Sequence, residues 1–495
     1  MKVLIVNLAG VKVESDGSVK HFVKAGSRWP MTIGFSKSVD YYPFPFWLAY
    51  TTALLKRDTE AEVKGLDGVV LDMTPSELFA EIKREKPMLL VTELTALTLV
   101  DDILFLKNAN QDINCRIAVC GSYVSVEAES ILRENLFIEF AARGEYEVII
   151  KELVETLMKA GNNFSAINGL TYRDKNGEVK VNAQRELLTD LDFLPYPDRE
   201  DFPATIYPDF TLYSPCINIL SSRGCPGGCV YCTDRHVIYN SPRYRMRNPL
   251  KVVDEIEYCI ERYKARQFYF DDQSLVVNKN HITGICNELL GRNIEIPWTC
   301  MGDAMFVDYD TLKIMASAGC IGMKFGVESA SQEILNNIHK PLKLDRARQV
   351  VSWCRELGIS THATFCLGLP GETVETIKQS MEFMESLNAD TAQVSKAIPY
   401  PGTPMYKWAI ENNYLITTDL SKFDGMGKAV LSYPNLSNVE IDQWYEIFSR
   451  KVARKKILKY LKKPAQSISI IVEMWRRKGL LSIMRSIKTF VRRAV

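Results

Sequence analysis

The stretch Ser221–Cys232, SSRGCPGGCVYC, sets Cys225, Cys229 and Cys232 within eight residues, in C-x3-C-x2-C spacing. Gly224, Gly227 and Gly228 let the backbone curl tightly between them, because glycine tolerates conformations that other residues cannot adopt. Structural zinc and ferredoxin-type clusters generally take four protein ligands. Three thiolates suit a cubane iron–sulfur cluster with one iron left open to a further ligand. A zinc knuckle is the alternative, with His236, four residues past Cys232, as its fourth ligand.

The apolar run INILS directly precedes this loop and reads as a strand. Five more strands follow by pattern, QFYFD, IPWTC, MKFGV, THATFC and TAQVSK, with helical segments between them. One such segment, PLKVVDEIEYCIERYK, puts Val252, Ile256, Cys259, Ile260 and Tyr263 on one face. Six strands with crossover helices predict an open, partial parallel barrel, whose active site forms at the C-terminal ends of its strands. The cysteine loop leaves the first of those ends.

Outward from the barrel, residues 1–155 alternate strands (KVLIVNL, MLLVTEL, CRIAVCG) with helices (PSELFAEIKRE, LVDDILFLKNA). That alternation predicts an α/β, doubly wound, Rossmann-like domain. Residues 156–210 are polar and rich in proline, with an Asn-Gly pair, and predict a linker with a hairpin. The barrel is expected over 211–430 and a basic helical region over 431–495. Among the last 45 residues, fourteen are Lys or Arg and one, Glu473, is acidic. With Trp475, Leu480, Leu481, Ile483 and Phe490 interleaved, two readings stay open. One is a helix lying at an anionic membrane surface, and the other is a helical cover for the barrel.

At 495 residues the chain exceeds one hydrophobic core. A net charge of +1 gives no overall bias toward nucleic acid. No run approaches the roughly 20 apolar residues of a membrane-spanning helix, and MKVLIVNLAG reads as a buried strand rather than a signal peptide. Twelve cysteines in a chain of this size suit a reducing cytoplasm. Eight of those outside the loop (Cys115, Cys216, Cys259, Cys286, Cys300, Cys320, Cys354 and Cys366) fall mostly in strand or helix patterns as buried thiols. His362 on the fifth barrel strand is a candidate to face the barrel interior.

The cysteine loop, with Tyr231 before its third cysteine, resembles that of radical S-adenosylmethionine enzymes. The resemblance implies a 4Fe–4S cluster on Cys225, Cys229 and Cys232 whose open iron chelates S-adenosylmethionine. Cleavage of the sulfonium would then give a 5′-deoxyadenosyl radical. Further segments match in order: FYFDDQS with Asp271 and Asp272, FGVESAS with Glu328, FCLGLPGET with Gly368 and Gly371, and PYPGTPMY. By the same resemblance, Tyr231, Asp271, Asp272, Glu328, Gly368 and Gly371 are cofactor-binding. One departure stands out. Many relatives carry an Arg after the third strand's Trp, where this chain has Asp303.

An N-terminal doubly wound domain in this family often binds cobalamin, which would place Gly121 and Ser122 beside that cofactor. The chain lacks D-x-H-x-x-G and has Cys120-Gly121-Ser122-Tyr123 where relatives show Gly-Gly-x-His, so no histidine ligand to cobalt is expected. The resemblance implies a cobalamin-dependent methyltransferase acting on an unactivated carbon of a small molecule or lipid. A flavodoxin or ferredoxin would serve as electron donor, and no nucleic acid would be involved. Three alternatives remain. The first is a cyclase or rearrangement enzyme of the same architecture. The second is a tRNA methylthiotransferase, disfavoured because Cys115 and Cys120 are the only N-terminal cysteines. The third is a non-catalytic sensor, which would need no S-adenosylmethionine site.

Overall fold

A computed structural model describes residues 1–8, 42–159, 163–207 and 213–462, plus three short strands, Val11–Val13, Val19–Val23 and Met31–Gly34. Side chains are described as far as residue 456. The tail residues Trp475, Leu480, Leu481, Ile483 and Phe490 lie outside the described residues.

The N-terminal sheet contains β1 (Lys2–Asn7), β2 (Glu62–Asp67), β3 (Leu89–Glu93), β4 (Arg116–Cys120) and β5 (Phe140–Ala142). These five are parallel, in the order β2-β1-β3-β4-β5. A hairpin of β6 (Leu170–Arg173) and β7 (Val179–Val181) joins antiparallel at the β5 edge. This corrects the boundary at 155: the hairpin of the expected linker belongs to the N-terminal sheet. Strand β2, EVKGLD, carries too little apolar signal to be read from sequence, and pairing with β1 along its whole length makes it a strand.

Alternate residues of β1 serve two cores. Leu4 and Val6 pack toward α2 (Pro75–Glu85) and α3 (Leu99–Ile113). Val3 and Ile5 face a larger core that runs without a break into the barrel. Between sheet and barrel lies α1 (Phe46–Asp58), buried over nine of its thirteen residues, as expected of a helix apolar on all sides. Helix α2 starts where sequence chemistry sets it: Thr74 and Glu77 form a reciprocal capping box, with Pro75 in the first turn.

The barrel is six parallel strands in sequential order: β8 (Cys216–Ile219), β9 (Gln267–Phe270), β10 (Trp298–Met301), β11 (Cys320–Glu328), β12 (Ser360–Leu367) and β13 (Thr391–Lys396). All six expected strands are present. Along β12, Thr361, Ala363, Phe365 and Leu367 are buried, while His362, Thr364 and Cys366 are half-exposed. Lys324, Gly326 and Glu328 repeat the half-exposed set on β11. The enclosed side of the barrel is thus open and polar rather than filled with layered apolar side chains, which leaves room for a ligand. A final helix, α4 (Asn438–Lys462), closes the outer edge beside β13, with Phe448 packed on Phe365 at 5.5 Å.

Candidate functional site

The cysteine loop is pinched off by a two-stranded ribbon, Ser222–Arg223 paired with Arg245–Met246. Gly224, at φ +92°, enters the loop where a Cβ would come within 2.1 Å of the Arg243 carbonyl oxygen, so only glycine fits. Cys225, Cys229 and Cys232 are half-buried and free. The Gly227 N–H points at Cys225 Sγ at 3.3 Å, and the Cys232 N–H donates to the Cys229 carbonyl at 3.1 Å. Burial pushes the Cys225 thiol up to about 11 and the Cys232 thiol up to about 12. The loop alone therefore keeps these groups as thiols, and a bound metal is what would deprotonate them. His236, the zinc alternative's fourth ligand, has Nε2 3.1 Å from the Cys229 carbonyl oxygen, engaged with backbone. Among the described residues, no three or more His, Cys, Asp or Glu side chains converge as a single metal ion requires.

The loop rests on polar braces. Asp272, fully buried, accepts from the Ser221 hydroxyl at 2.8 Å, from the Ser222 hydroxyl and from the Ser221 N–H at 3.3 Å. The structure thus turns Asp272 toward the root of the loop. Gln273 accepts from the Gly224 N–H at 3.1 Å and donates to Asp234 and the Tyr239 hydroxyl at 3.1 and 3.3 Å. Sequence reading passed over Gln273; its place after the Asp pair was the available signal. Asp271, at the end of β9, is buried, and its N–H donates to the Ile219 carbonyl at 2.9 Å.

Facing the loop is a group of charges. Glu328 ends β11 at φ +67°, beyond a register shift at Gly326. A Cβ on Gly326 would strike the Glu328 carboxylate at 1.9 Å, so this glycine gives the side chain its place. Tyr231 lies beside both Glu328 and Cys229. Lys340, only 5% exposed, lies 3.2 Å from Asp303 and 3.7 Å from Glu328. Burial pulls the Lys340 ammonium down, but Asp303 and Glu328 outweigh it and hold the group charged. Burial likewise pushes the Glu328 carboxyl up, with Lys340 opposing. Where many relatives carry an Arg after the third strand, this chain has Asp303, paired with a cation, Lys340, from beyond the fourth. Nothing in its own sequence neighbourhood marks it.

Gly368 (φ +82°) and Gly371 (φ +86°) hold the turn after β12; a Cβ on Gly371 would lie 2.6 Å from Asn337 Nδ2. Directly after Gly371, Glu372 reaches back to accept from the Gly368 and Leu369 N–H groups. Its Oε1 is buried with no hydrogen-bond partner among the described residues. Burial raises this carboxyl to about 8.

Opposite the cluster loop stand the C-terminal ends of the N-terminal strands. The order β2-β1-β3-β4-β5 reverses direction between β1 and β3, where open α/β sheets bind ligands. Beside that point, over the C-terminal ends of β3, β4 and β5, lies a small crevice lined by Trp47, Glu93, Gly121, Gly144 and Tyr146 and closed by Asp234 and Ile238 from just past Cys232. Gly121, at φ +105°, precedes the helix that begins at Ser122. The Tyr146 hydroxyl donates to Glu93 at 2.7 Å. Trp47 Nε1 is buried without a partner among the described residues, a donor awaiting an acceptor. Glycine at the rim and this orphan donor fit a flat, acceptor-rich cofactor. The enclosed space is only about 10 Å³, room for about one water, so a corrinoid would lie against this rim rather than inside the crevice. The structure therefore gathers Cys225, Cys229, Cys232, Tyr231 and Glu328 at one mouth, with Gly121 and Ser122 across from it.

Residues 219–384 match the family model of the radical SAM superfamily. An uncharacterized methyltransferase of Pyrococcus horikoshii is 30% identical over 380 residues, 77% of this chain and 81% of its own length. The anaerobic magnesium-protoporphyrin IX monomethyl ester cyclase of Rubrivivax gelatinosus is 25% identical over 420 residues, 80% of this chain and 72% of its own length. The fold resembles that of TsrM from Kitasatospora setae, a radical S-adenosylmethionine methyltransferase solved with cobalamin and a [4Fe-4S] cluster bound. That likeness has a TM-score of 0.69 at 16% identity, over 92% of this chain and 89% of that one. The superfamily match takes in the cysteine loop and four whole barrel strands, β9 to β12, and the Pyrococcus relative extends the likeness across most of both chains: this chain belongs to the radical SAM superfamily.

Proposed function

We propose that this protein is a cobalamin-dependent radical S-adenosylmethionine enzyme that methylates an unactivated carbon of a small-molecule or lipid substrate. The observation that carries this reading is the juxtaposition of two half-sites. Three free thiols and the Lys340–Asp303–Glu328 group form one mouth, and the strand-end crevice under Trp47 is walled by Asp234 and Ile238, which lie just past the third thiol in the chain. Cys225, Cys229 and Cys232 would hold a 4Fe–4S cluster by three irons. Lys340, with Glu328 and Asp303, would meet the amino and carboxylate groups of S-adenosylmethionine, with Asp271 beside the methionine amine. Gly368 and Gly371 would let the backbone lie against the adenine. Trp47, Gly121 and Ser122 would receive the edge of cobalamin. The cluster would supply the electron that opens the sulfonium, and cobalamin would carry the methyl group. The half-exposed inner residues of β11 and β12 would orient the substrate and keep bulk water from it.

The reading extends to a flavodoxin or ferredoxin as electron donor and to a cytoplasmic setting. No helix of the described residues is long and apolar enough to cross a membrane. The basic residues after 451 would hold the chain to an anionic leaflet, each worth about 1 kcal/mol near the surface. Recovery in the soluble fraction at low salt would remove that part alone.

Anaerobic purification with iron, sulfide and hydroxocobalamin tests the core of the reading. Absorbance should report both cofactors, and reduction with S-adenosylmethionine present should release 5′-deoxyadenosine. A chain that binds neither cofactor and releases no nucleoside is not this enzyme. The similarity to a cyclase favours a second reading, ring closure. Mass comparison of metabolites and lipids with and without the gene separates the two, because only methylation adds a labelled methyl from S-adenosylmethionine.

A further inference from the structure

The ribbon that closes the cysteine loop carries Arg223 and Arg245 directly opposite each other. Two like charges in that register repel, and both are buried, Arg223 to 1% exposure. The N-terminal domain supplies the compensation. Glu145, just past β5, bridges both guanidiniums, Oε1 to Arg223 at 3.0 Å and Oε2 to Arg245 at 2.7 Å. Glu147 takes the second Nη of Arg223 at 2.6 Å. Trp47 and Tyr50 of α1 lie under the Arg223 guanidinium at 5.6 and 5.3 Å, and Tyr239 lies under Arg245 at 5.0 Å. Two arginines and two glutamates therefore balance in a buried set that spans the two domains. Its barrel half sits two residues before the first loop cysteine.

We propose that Glu145 and Glu147 are positioning residues for the cysteine loop, so that the N-terminal domain sets how the loop's cofactor engages S-adenosylmethionine. This rests on the reading of that loop as a cluster site. The physical reason is geometric. The ribbon fixes both ends of the loop, residues 224–244, and its own charges are tolerable in the interior only while Glu145 stands between them. Glu147 adds a second, weaker hold. Neither glutamate comes from the barrel, so the cluster's setting is borrowed from the domain that faces it across the cleft.

The test uses full-length protein reconstituted anaerobically with iron and sulfide. Glu145→Gln, Glu147→Gln and the control Glu152→Gln are compared with the parent. Glu152 forms an ion pair with Arg185 at 2.7 Å away from the loop. Two readouts are taken: the S-adenosylmethionine concentration that half-converts the reduced cluster's paramagnetic resonance signal, and amide exchange across residues 222–232. In Glu145→Gln the half-converting concentration should rise roughly tenfold, and in Glu147→Gln roughly threefold. Exchange in the loop should rise roughly tenfold in Glu145→Gln while β10, β11 and β12 are unchanged. The control should match the parent in both.

Parent-like behaviour of both glutamine variants overturns the proposal. So does faster exchange with an unaltered S-adenosylmethionine dependence, which would reduce the four charges to domain adhesion. A parent that takes up no cluster would sink the cluster reading itself. The exchange comparison then still judges the hold on the loop, and parent-like exchange overturns it. If Glu145→Gln does not fold, Glu147→Gln, which leaves Glu145 bridging both arginines, carries both measurements.

Discussion

The two faces of the site are built from opposite materials. The barrel mouth is crowded with charge: Lys340, Asp303 and Glu328 against one another, and Arg223 and Arg245 just behind the thiols. The strand-end cleft is lined mainly by glycines and aromatic rings, and its two buried carboxylates, Glu93 and Asp234, are answered by the Tyr146 hydroxyl and the Gln273 amide. Charge suits a mouth that must grip a zwitterion and a metal cluster. A flat wall with a single unspent donor suits a large, already coordinated ring. The difference means that changes on the barrel side should be severe and electrostatic, whereas changes in the cleft should be graded and steric.

The strongest way to break the comparison is at the thiols. Replacing Cys225, Cys229 or Cys232 by alanine should abolish both bound iron and 5′-deoxyadenosine release while the chain stays folded, measured by metal analysis and nucleoside assay. Next comes the buried carboxyl that follows Gly371. Glu372 is raised to about 8 from an unfolded value of 4.5, so the unfolded chain ionises first as pH rises. Stability should therefore fall from about pH 4.5 to about pH 8, by a few kcal/mol from this group. Glu372→Gln should flatten that part of the urea midpoint against pH. A parent midpoint that climbs across the window, with no flattening in the variant, would contradict it.

Lys340→Met leaves two part-buried carboxylates without their cation. It should weaken S-adenosylmethionine binding by about 30-fold or more, read by equilibrium titration of reconstituted protein. The cleft should respond least. Trp47→Phe removes one unsatisfied donor and little volume. It should weaken hydroxocobalamin binding by about fivefold, near 1 kcal/mol, and leave S-adenosylmethionine affinity alone. A large loss of S-adenosylmethionine affinity in Trp47→Phe would erase the distinction between the faces.

The barrel was legible almost strand by strand, because each of its six strands is a short apolar run with turn residues on either side. The N-terminal sheet was legible where strands are buried on both faces, as in KVLIVN, and illegible at EVKGLD, whose strand state comes from its partner. The hairpin at 170–181 was readable as a hairpin, but its sheet was not, since the edge it joins is set by packing. Cys366 was expected buried with the other scattered thiols and is half-exposed, because alternation along β12 turns it to the open side of the barrel.

By itself the sequence determined the ligand chemistry of the loop: three thiols at fixed spacing, glycines where a Cβ cannot fit, and an aromatic before the last cysteine. These are local facts, and spacing along a short loop translates directly into reach. Only the tertiary structure decided which charges attend that loop. Lys340 lies more than a hundred residues beyond Cys232, and Glu145 lies some eighty residues before Cys225. Buried charges must find partners wherever the fold brings them, and that pairing is a property of the packed chain, invisible in any short stretch of it.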